Sequence, residues 1–297
     1  MSFRERSGVS RREFFGLGAA GAAAALAAGC RPPGPPAKVQ PLAQTPTPVV
    51  QPPPPPYGRY EMGAQTYSFR DFRFDDMIAK VEQLGLHFVE IYDAHLPRNS
   101  TPEQFAAAKA KMAARQITAN AYWVGGLDKN EGNARNALNF TKALGAGVAV
   151  GDPAPDCLDV LDKVVAETGI KVGIHNHGPG TRWSKTDDML KALGNHNAGI
   201  GICLDTGHLT RSGENPVESA RKLGPRLLAL HIKDLNAQNA DVIVGKGRLD
   251  LVGFFTALKE IHFGGPIALE YEIDPKDPVP GMAASLAAIR EAIARVG

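Results

Sequence analysis

Three cysteines in 297 residues are too few for a disulfide framework, and they lie far apart at Cys30, Cys157 and Cys203. Cys203 falls inside an apolar run and reads as a small core residue. A surplus of one charge is also missing. Lys and Arg number 33 against 31 Asp and Glu, and beyond residue 29 there are 29 of each. Phosphate backbones are gripped by excess Lys and Arg, so nucleic acid is not expected as the main partner. No Gly-x-Gly-x-x-Gly follows the first strand-like run, which leaves a dinucleotide site without support. The apolar stretch that ends at Gly29 is short of the ~20 residues a membrane span needs.

That stretch has features of its own. Ser10-Arg11-Arg12-Glu13-Phe14-Phe15 opens it, and Leu26-Ala-Ala-Gly-Cys30 closes it. A charged start and an apolar middle have the form of a secretory signal. The paired arginines resemble a twin-arginine export signal, and the closing box resembles a bacterial lipoprotein cleavage site. These resemblances imply export to the periplasm with a lipid anchor on Cys30; an uncleaved anchor helix is the alternative. Residues 31–56 hold 12 of the 23 prolines and cannot form a helix or sheet interior. They are expected to be a semi-rigid tether reaching at most ~80 Å. Contact with a membrane is expected only through this N-terminal segment.

From residue 57 to 297, strand-like and helix-like patterns alternate. The strand-like runs are 60–68, 87–92, 117–123, 148–150, 171–175, 200–204, 227–232 and 266–271. The helical runs are 74–84, 102–114, 133–144, 157–167, 185–193, 216–223, 251–261 and 282–296. Gly85, Gly145, Gly169, Gly194 and Gly224 follow five of these helical runs, where a terminating glycine is expected. Eight β-then-α units of this total length predict an α/β fold, a single (β/α)8 TIM barrel. A doubly wound open sheet is the alternative.

In such barrels the active site lies at the C-terminal strand ends. Five of the eight histidines fall there: His95, His175, His177, His208 and His231. The sixth strand runs into Asp205-Thr-Gly-His208, and the eighth ends at Glu270. His175, Asp205, His231 and Glu270 come from four successive strands. Such a mixed N/O set suits one divalent metal ion: Mn2+, Zn2+, Mg2+, Fe2+ or Co2+.

Several short motifs in order resemble the xylose-isomerase-like barrels, often called sugar phosphate isomerase/epimerases. They are Val89-Glu-Ile-Tyr92, Ile174-His-Asn-His-Gly-Pro179, Cys203-Leu-Asp-Thr-Gly-His208, Leu230-His-Ile-Lys-Asp234, Gly245-Lys-Gly-Arg-Leu-Asp250 and Leu269-Glu270. The resemblance implies a metal held by Glu, Asp, His and Glu from strands 5 to 8. Asp205, His231 and Glu270 match three of these. His175 stands where the first glutamate would be, as a ligand or as a second base. The resemblance further implies a sugar or keto-sugar isomerase or epimerase that removes a proton to give a metal-bound enediolate. Glu270, His175 and Lys233 are the catalytic candidates, although Lys233 could instead pair with Asp234 at the surface. His208, His177, Glu90, Arg211 and Trp123 are the substrate-binding candidates. Tyr67 and Trp183 are further candidates for the pocket wall.

Other functions fit the same residues. One is a sugar lyase or dehydratase working through the same enediolate. Another is a lipid-anchored, non-catalytic sugar-binding barrel. The DNA-repair endonuclease branch of the superfamily would need more metals and a basic face. The partner expected throughout is a small carbohydrate, and a homo-oligomer stays open.

Overall fold

The computed structural model describes residues 56–297. The signal expected over 1–30, its Cys30 and the linker up to residue 55 lie outside the described residues. Among those described, no helix is long and apolar enough to cross a membrane.

The described chain opens with β1 (Met62–Gln65), α1 (Phe74–Gln83), β2 (Phe88–Ile91), α2 (Pro102–Ala114), β3 (Thr118–Gly125) and α3 (Glu131–Leu144). Next come β4 (Val148–Gly151), α4 (Leu158–Thr168), β5 (Lys171–His175), α5 (Thr186–Leu193), β6 (Ile200–Asp205) and α6 (Thr206–Arg211). The last elements are α7 (Pro216–Leu223), β7 (Leu227–Ile232), β8 (Asp234–Leu235), β9 (Asp241–Val242), α8 (Leu251–Glu260), β10 (Ile267–Leu269) and α9 (Val279–Val296). Eight strands pair in parallel and close into a barrel in the order β1-β10-β7-β6-β5-β4-β3-β2. This is the predicted (β/α)8 barrel.

The strand period of two explains the two layers. In β6, Ile200, Ile202 and Leu204 join the large core, while Cys203 packs in a small separate cluster with Ala121, Val148, Val150 and Ala229. On the helices, apolar residues recur every three to four positions. In α4 these are Leu158, Leu161, Val164 and Val165, all buried against the sheet. A fully buried side chain of this size contributes about 1.5–3 kcal/mol. Helix ends follow their signals. Thr101 and Gln104 form a reciprocal capping box at α2, with Pro102 in its first turn. Gly145 and Gly169 end α3 and α4 at φ of 98° and 74°, in the left-handed region where a Cβ would be strained.

Three expectations change. The first strand is shorter than 60–68, because residues Thr66–Phe69 turn into a 3-10 helix capped by the Gln65 side chain. Two elements carried no strong pattern: the one-and-a-half-turn α6, and an antiparallel hairpin of β8 with β9. Both lie where the chain leaves the barrel near the candidate ligands.

Candidate active site

Barrel closure brings His175, Asp205, His231 and Glu270 together from the ends of β5, β6, β7 and β10. One ligand atom from each lies within 4.8 Å of all the others. His175 Nε2 is 3.6 Å from Asp205 Oδ2 and 4.0 Å from Glu270 Oε2. His231 Nδ1 is 3.0 Å from the same Glu270 oxygen. These groups are almost entirely buried, with His231 and Asp205 at 0% exposure. Yet His175 Nδ1 and Nε2 make no hydrogen bond, and Asp205 Oδ2, His231 Nδ1 and Glu270 Oε2 meet only one another and the Lys233 ammonium. Buried polar atoms are normally satisfied, so ligand atoms left to one another at one point fit a metal ion.

Charge points the same way. Glu90, Asp205 and Glu270 are three buried carboxylates, and Lys233 is the one buried ammonium beside them. Burial opposes a charge on His231, but Cys203, Glu90 and Glu270 outweigh it and raise its pKa well above the ordinary imidazole value, so the metal-free ring holds a second proton that a divalent cation would displace.

Local structure fixes each side chain. Asp205 is the N-cap of α6: Oδ1 accepts the His208 N–H at 2.7 Å, which leaves Oδ2 turned to the site. Asn176 braces the tips of β5 and β6. Its side chain donates to Asp205 O at 3.1 Å and accepts the Asp205 N–H at 2.7 Å. Thr206 Oγ1 accepts the Lys233 N–H at 2.9 Å and donates to Lys233 O at 2.7 Å. Gly207 is required here, since a Cβ would fall 2.8 Å from Lys233 Cβ.

Lys233 is 3% exposed. Its Nζ lies 3.1 Å from Glu270 Oε2 and 3.3 Å from Asp205 Oδ2, and also pairs with Glu272. A surface pair with Asp234 is not formed. Asp234 instead accepts the backbone N–H groups of Leu235, Gly245, Gly247 and Leu249 at 2.8–3.0 Å. It thereby clamps the Gly245–Asp250 motif beneath the hairpin.

Protonation states follow from these neighbours. Burial pushes the His175 imidazolium down to about 3, so the ring is a neutral donor near pH 7. Burial opposes ionisation of Asp205 and Glu270, but Lys233 with the neighbouring histidines holds both well below the usual carboxylate range. Burial opposes the charge on Lys233 too, and the carboxylates of Asp205, Glu270 and Glu272 outweigh it and raise its pKa. His208 is lowered, chiefly by burial.

Above the cluster opens a cavity of about 290 Å³. Tyr67, Tyr92, Trp123, His177 and His208 line it, together with Gln65 and Glu272 and the site-facing atoms of His175, Lys233 and Glu270. Tyr67 and Tyr92 meet edge to face at 5.1 Å, and the rings of His177 and His208 are 5.3 Å apart. Such a pocket, part aromatic wall and part hydrogen-bonding rim, matches the size and character of a sugar ring.

Several expected site residues do not reach this cavity. Glu90, expected on a sugar hydroxyl, is 2% exposed, and its Oε2 lies 2.8 Å from His231 Nε2. Arg211 pairs with Asp241 at 2.6 Å and with Asn239 O at 3.3 Å, pinning the hairpin to α6. Only its Nη1 approaches the site, 3.5 Å from His208 Nδ1. Trp183 is buried and donates its indole N–H to Pro153 O at 2.9 Å, so it is a packing residue. His95 bridges Thr66 and the Phe72 carbonyl. Conversely, Gln65, Tyr92 and Glu272 line the cavity and were not singled out as site residues. Glu272 follows Glu270 by two residues at a strand end, and Tyr92 closes the Val89–Tyr92 motif. Gln65 carried no signal.

Comparison with known proteins supplies the family. Residues 78–292 match the xylose isomerase-like TIM barrel family. An inosose dehydratase of Clostridium botulinum (strain Alaska E43 / Type E3) is 30% identical over 137 residues, 40% of this chain and 46% of that protein. The chain thus spans about half the length of the curated relatives it matches. A D-allulose 3-epimerase from Methylomonas sp. is similar in fold, with TM-score 0.64 and 19% identity over 79% of this chain and 98% of that one. A 3-keto-D-glucoside 4-epimerase from E. coli has the same TM-score of 0.64, with 19% identity over 78% of this chain and 99% of that one. With the closed barrel and the candidate ligand set on its C-terminal rim, this chain belongs to the xylose isomerase-like TIM barrel family.

Proposed function

We propose that the barrel is a metal-dependent isomerase or epimerase of a sugar or keto-sugar. The observation that carries this reading is the convergence of buried ligand atoms of His175, Asp205, His231 and Glu270 beneath a sugar-sized cavity. A divalent ion held there would act as a Lewis acid toward a carbonyl and its neighbouring hydroxyl.

The residues have definite tasks. Tyr67, Tyr92 and Trp123 pack on the apolar face of the sugar and exclude water. His177 and His208 hold hydroxyls. The Glu270 carboxylate, kept ionised by Lys233, accepts the proton from the carbon next to the carbonyl. The C–H electron pair becomes the new C=C bond and the carbonyl oxygen takes the negative charge. Lys233 Nζ stabilises that charge. Delivery of a proton from solvent to the other face gives an epimer, and return of the Glu270 proton to the neighbouring carbon, with the hydroxyl proton passing to the former carbonyl oxygen, gives an isomer.

A dehydratase is the second reading. Two observations favour it: the similarity to inosose dehydratases, and His175 in place of the glutamate a two-glutamate epimerase would use. Here the enediolate expels a β-hydroxyl, which leaves as water with the proton that Glu270 has just accepted.

The test combines metal analysis of the purified protein with NMR in D2O on ketohexoses and inososes. Deuterium at the carbon next to the carbonyl, with an altered sugar configuration, supports the first reading. An enone product supports the second. Absence of both metal and exchange would sink them together. Export by the twin-arginine route and a lipid on Cys30 belong to the proposal, and favour free sugars over phosphorylated ones. Release of the protein from membranes by Cys30→Ala tests them.

A further inference from the structure

We infer that Glu90 is a positioning residue for His231: its carboxylate takes the Nε2–H of that ring and so leaves Nδ1 free to face the metal. The inference rests on the metal-site reading above.

The geometry is a chain of hydrogen bonds through three strands, β1, β2 and β7. The Tyr67 N–H donates to Gln65 Oε1 at 2.8 Å, and Gln65 Nε2 donates to Glu90 Oε1 at 2.7 Å. The other Glu90 oxygen, Oε2, is 2.8 Å from His231 Nε2. Gln65, Glu90 and His231 are 1%, 2% and 0% exposed. A carboxylate only accepts, so Nε2 must carry the proton. The amide of Gln65 can then occupy only one orientation, with its nitrogen toward Glu90 and its oxygen toward Tyr67. Each member of the chain therefore fixes the next. At the far end His231 Nδ1 sits among the candidate ligand atoms, 3.0 Å from Glu270 Oε2, so it is the nitrogen turned to the metal position.

This arrangement has two consequences. The ring cannot rotate about its Cβ–Cγ bond without breaking a buried charged hydrogen bond. The carboxylate also draws on the Nε2 proton and makes Nδ1 a stronger donor to a cation. Glu90 never touches the cavity, so it serves the ligand and not the sugar. Because Gln65 does line the cavity, the same chain joins the pocket floor to the ligand.

Mn2+ affinity is measured by calorimetry on wild type and on Glu90→Gln, which keeps the side-chain shape and loses the charge. The imidazole protons are read by NMR in Zn2+-loaded and in metal-free wild type. The expected result is roughly 10–100-fold weaker Mn2+ binding in the variant. A slowly exchanging His231 Nε2–H signal in wild type is expected with it. Unchanged Mn2+ affinity, or a His231 ring whose Nε2 carries no proton, overturns the inference. Retained Mn2+ affinity with lost sugar binding also overturns it, because that marks a sugar contact. If Glu90→Gln does not fold, the wild-type NMR signal decides alone. A wild type that binds neither Mn2+ nor Zn2+ overturns the proposed function instead, while the metal-free NMR signal still reports on the Glu90–His231 bond.

Discussion

Replacing Lys233 by methionine should destabilise the metal-free protein far more than the metal-loaded one. The ammonium lies 3.1 Å from Glu270 Oε2 and 3.3 Å from Asp205 Oδ2, and pairs with Glu272 as well. At 3% exposure it has almost no water to share its charge with. Lys233→Met keeps the length of the stem and leaves two buried carboxylates without a counter-charge. Breaking one side of a buried ion pair costs about 3–5 kcal/mol. For a domain of this size each kcal/mol shifts the melting temperature by about 2–4 °C, so a drop of roughly 6–20 °C is expected in chelator. With Mn2+ bound, the ion neutralises the same carboxylates and the drop should be much smaller. The variant should also bind Mn2+ more tightly, because like charge has been removed from beside the ion. Thermal melts with EDTA and with Mn2+, together with a calorimetric titration, read all three quantities. Equal drops in the two conditions, or weaker Mn2+ binding, would refute the charge accounting.

Asp234→Ala removes the acceptor for four backbone N–H groups; it should cost about 3 kcal/mol or more and lower the melting temperature by roughly 6–12 °C, with hydrogen exchange accelerating first at Gly245, Gly247 and Leu249. Metal-free protein should lose stability as pH falls from about 6.5 toward 3. The unfolded chain protonates His175 near 6.5, whereas the folded chain resists until about 3. The slope should approach about 1.4 kcal/mol per pH unit. Urea midpoints between pH 6.5 and 4.5, compared with those of His175→Gln, should show that slope flattened in the variant. Trp123→Ala should weaken sugar binding with little change in stability. Trp183→Phe, which loses the bond to Pro153 O and leaves a cavity at a side chain 1% exposed, should do the reverse at about 2 kcal/mol or more; sugar titrations and melts of the pair separate wall from core.

The barrel was legible because its period is local. Each parallel strand buried on both faces reads as a short apolar run, and each helix as an amphipathic stretch closed by glycine. The β8–β9 hairpin was not legible, since two residues per strand carry no period. The ligand candidates were legible for a topological reason: in this fold, the residue after a buried run stands on the rim. That rule cannot tell a rim residue that faces the cavity from one that faces a neighbour. Glu90 was assigned to the pocket on that ground, and Trp183 as an aromatic in the loop after β5. Their partners, His231 and Pro153, lie 141 and 30 residues away.

The sequence by itself therefore determined the order of elements, the closed barrel and the four side chains that could meet, all of which follow from local hydrophobic periodicity. It also supplied the neutral charge balance and the export-like N-terminus. Only the tertiary structure decided which atoms remain unpaired, that Lys233 stands among the carboxylates, and that Glu90 holds His231. Those facts depend on distances between strands far apart in the chain, and a hydrogen bond exists or fails within a few tenths of an ångström.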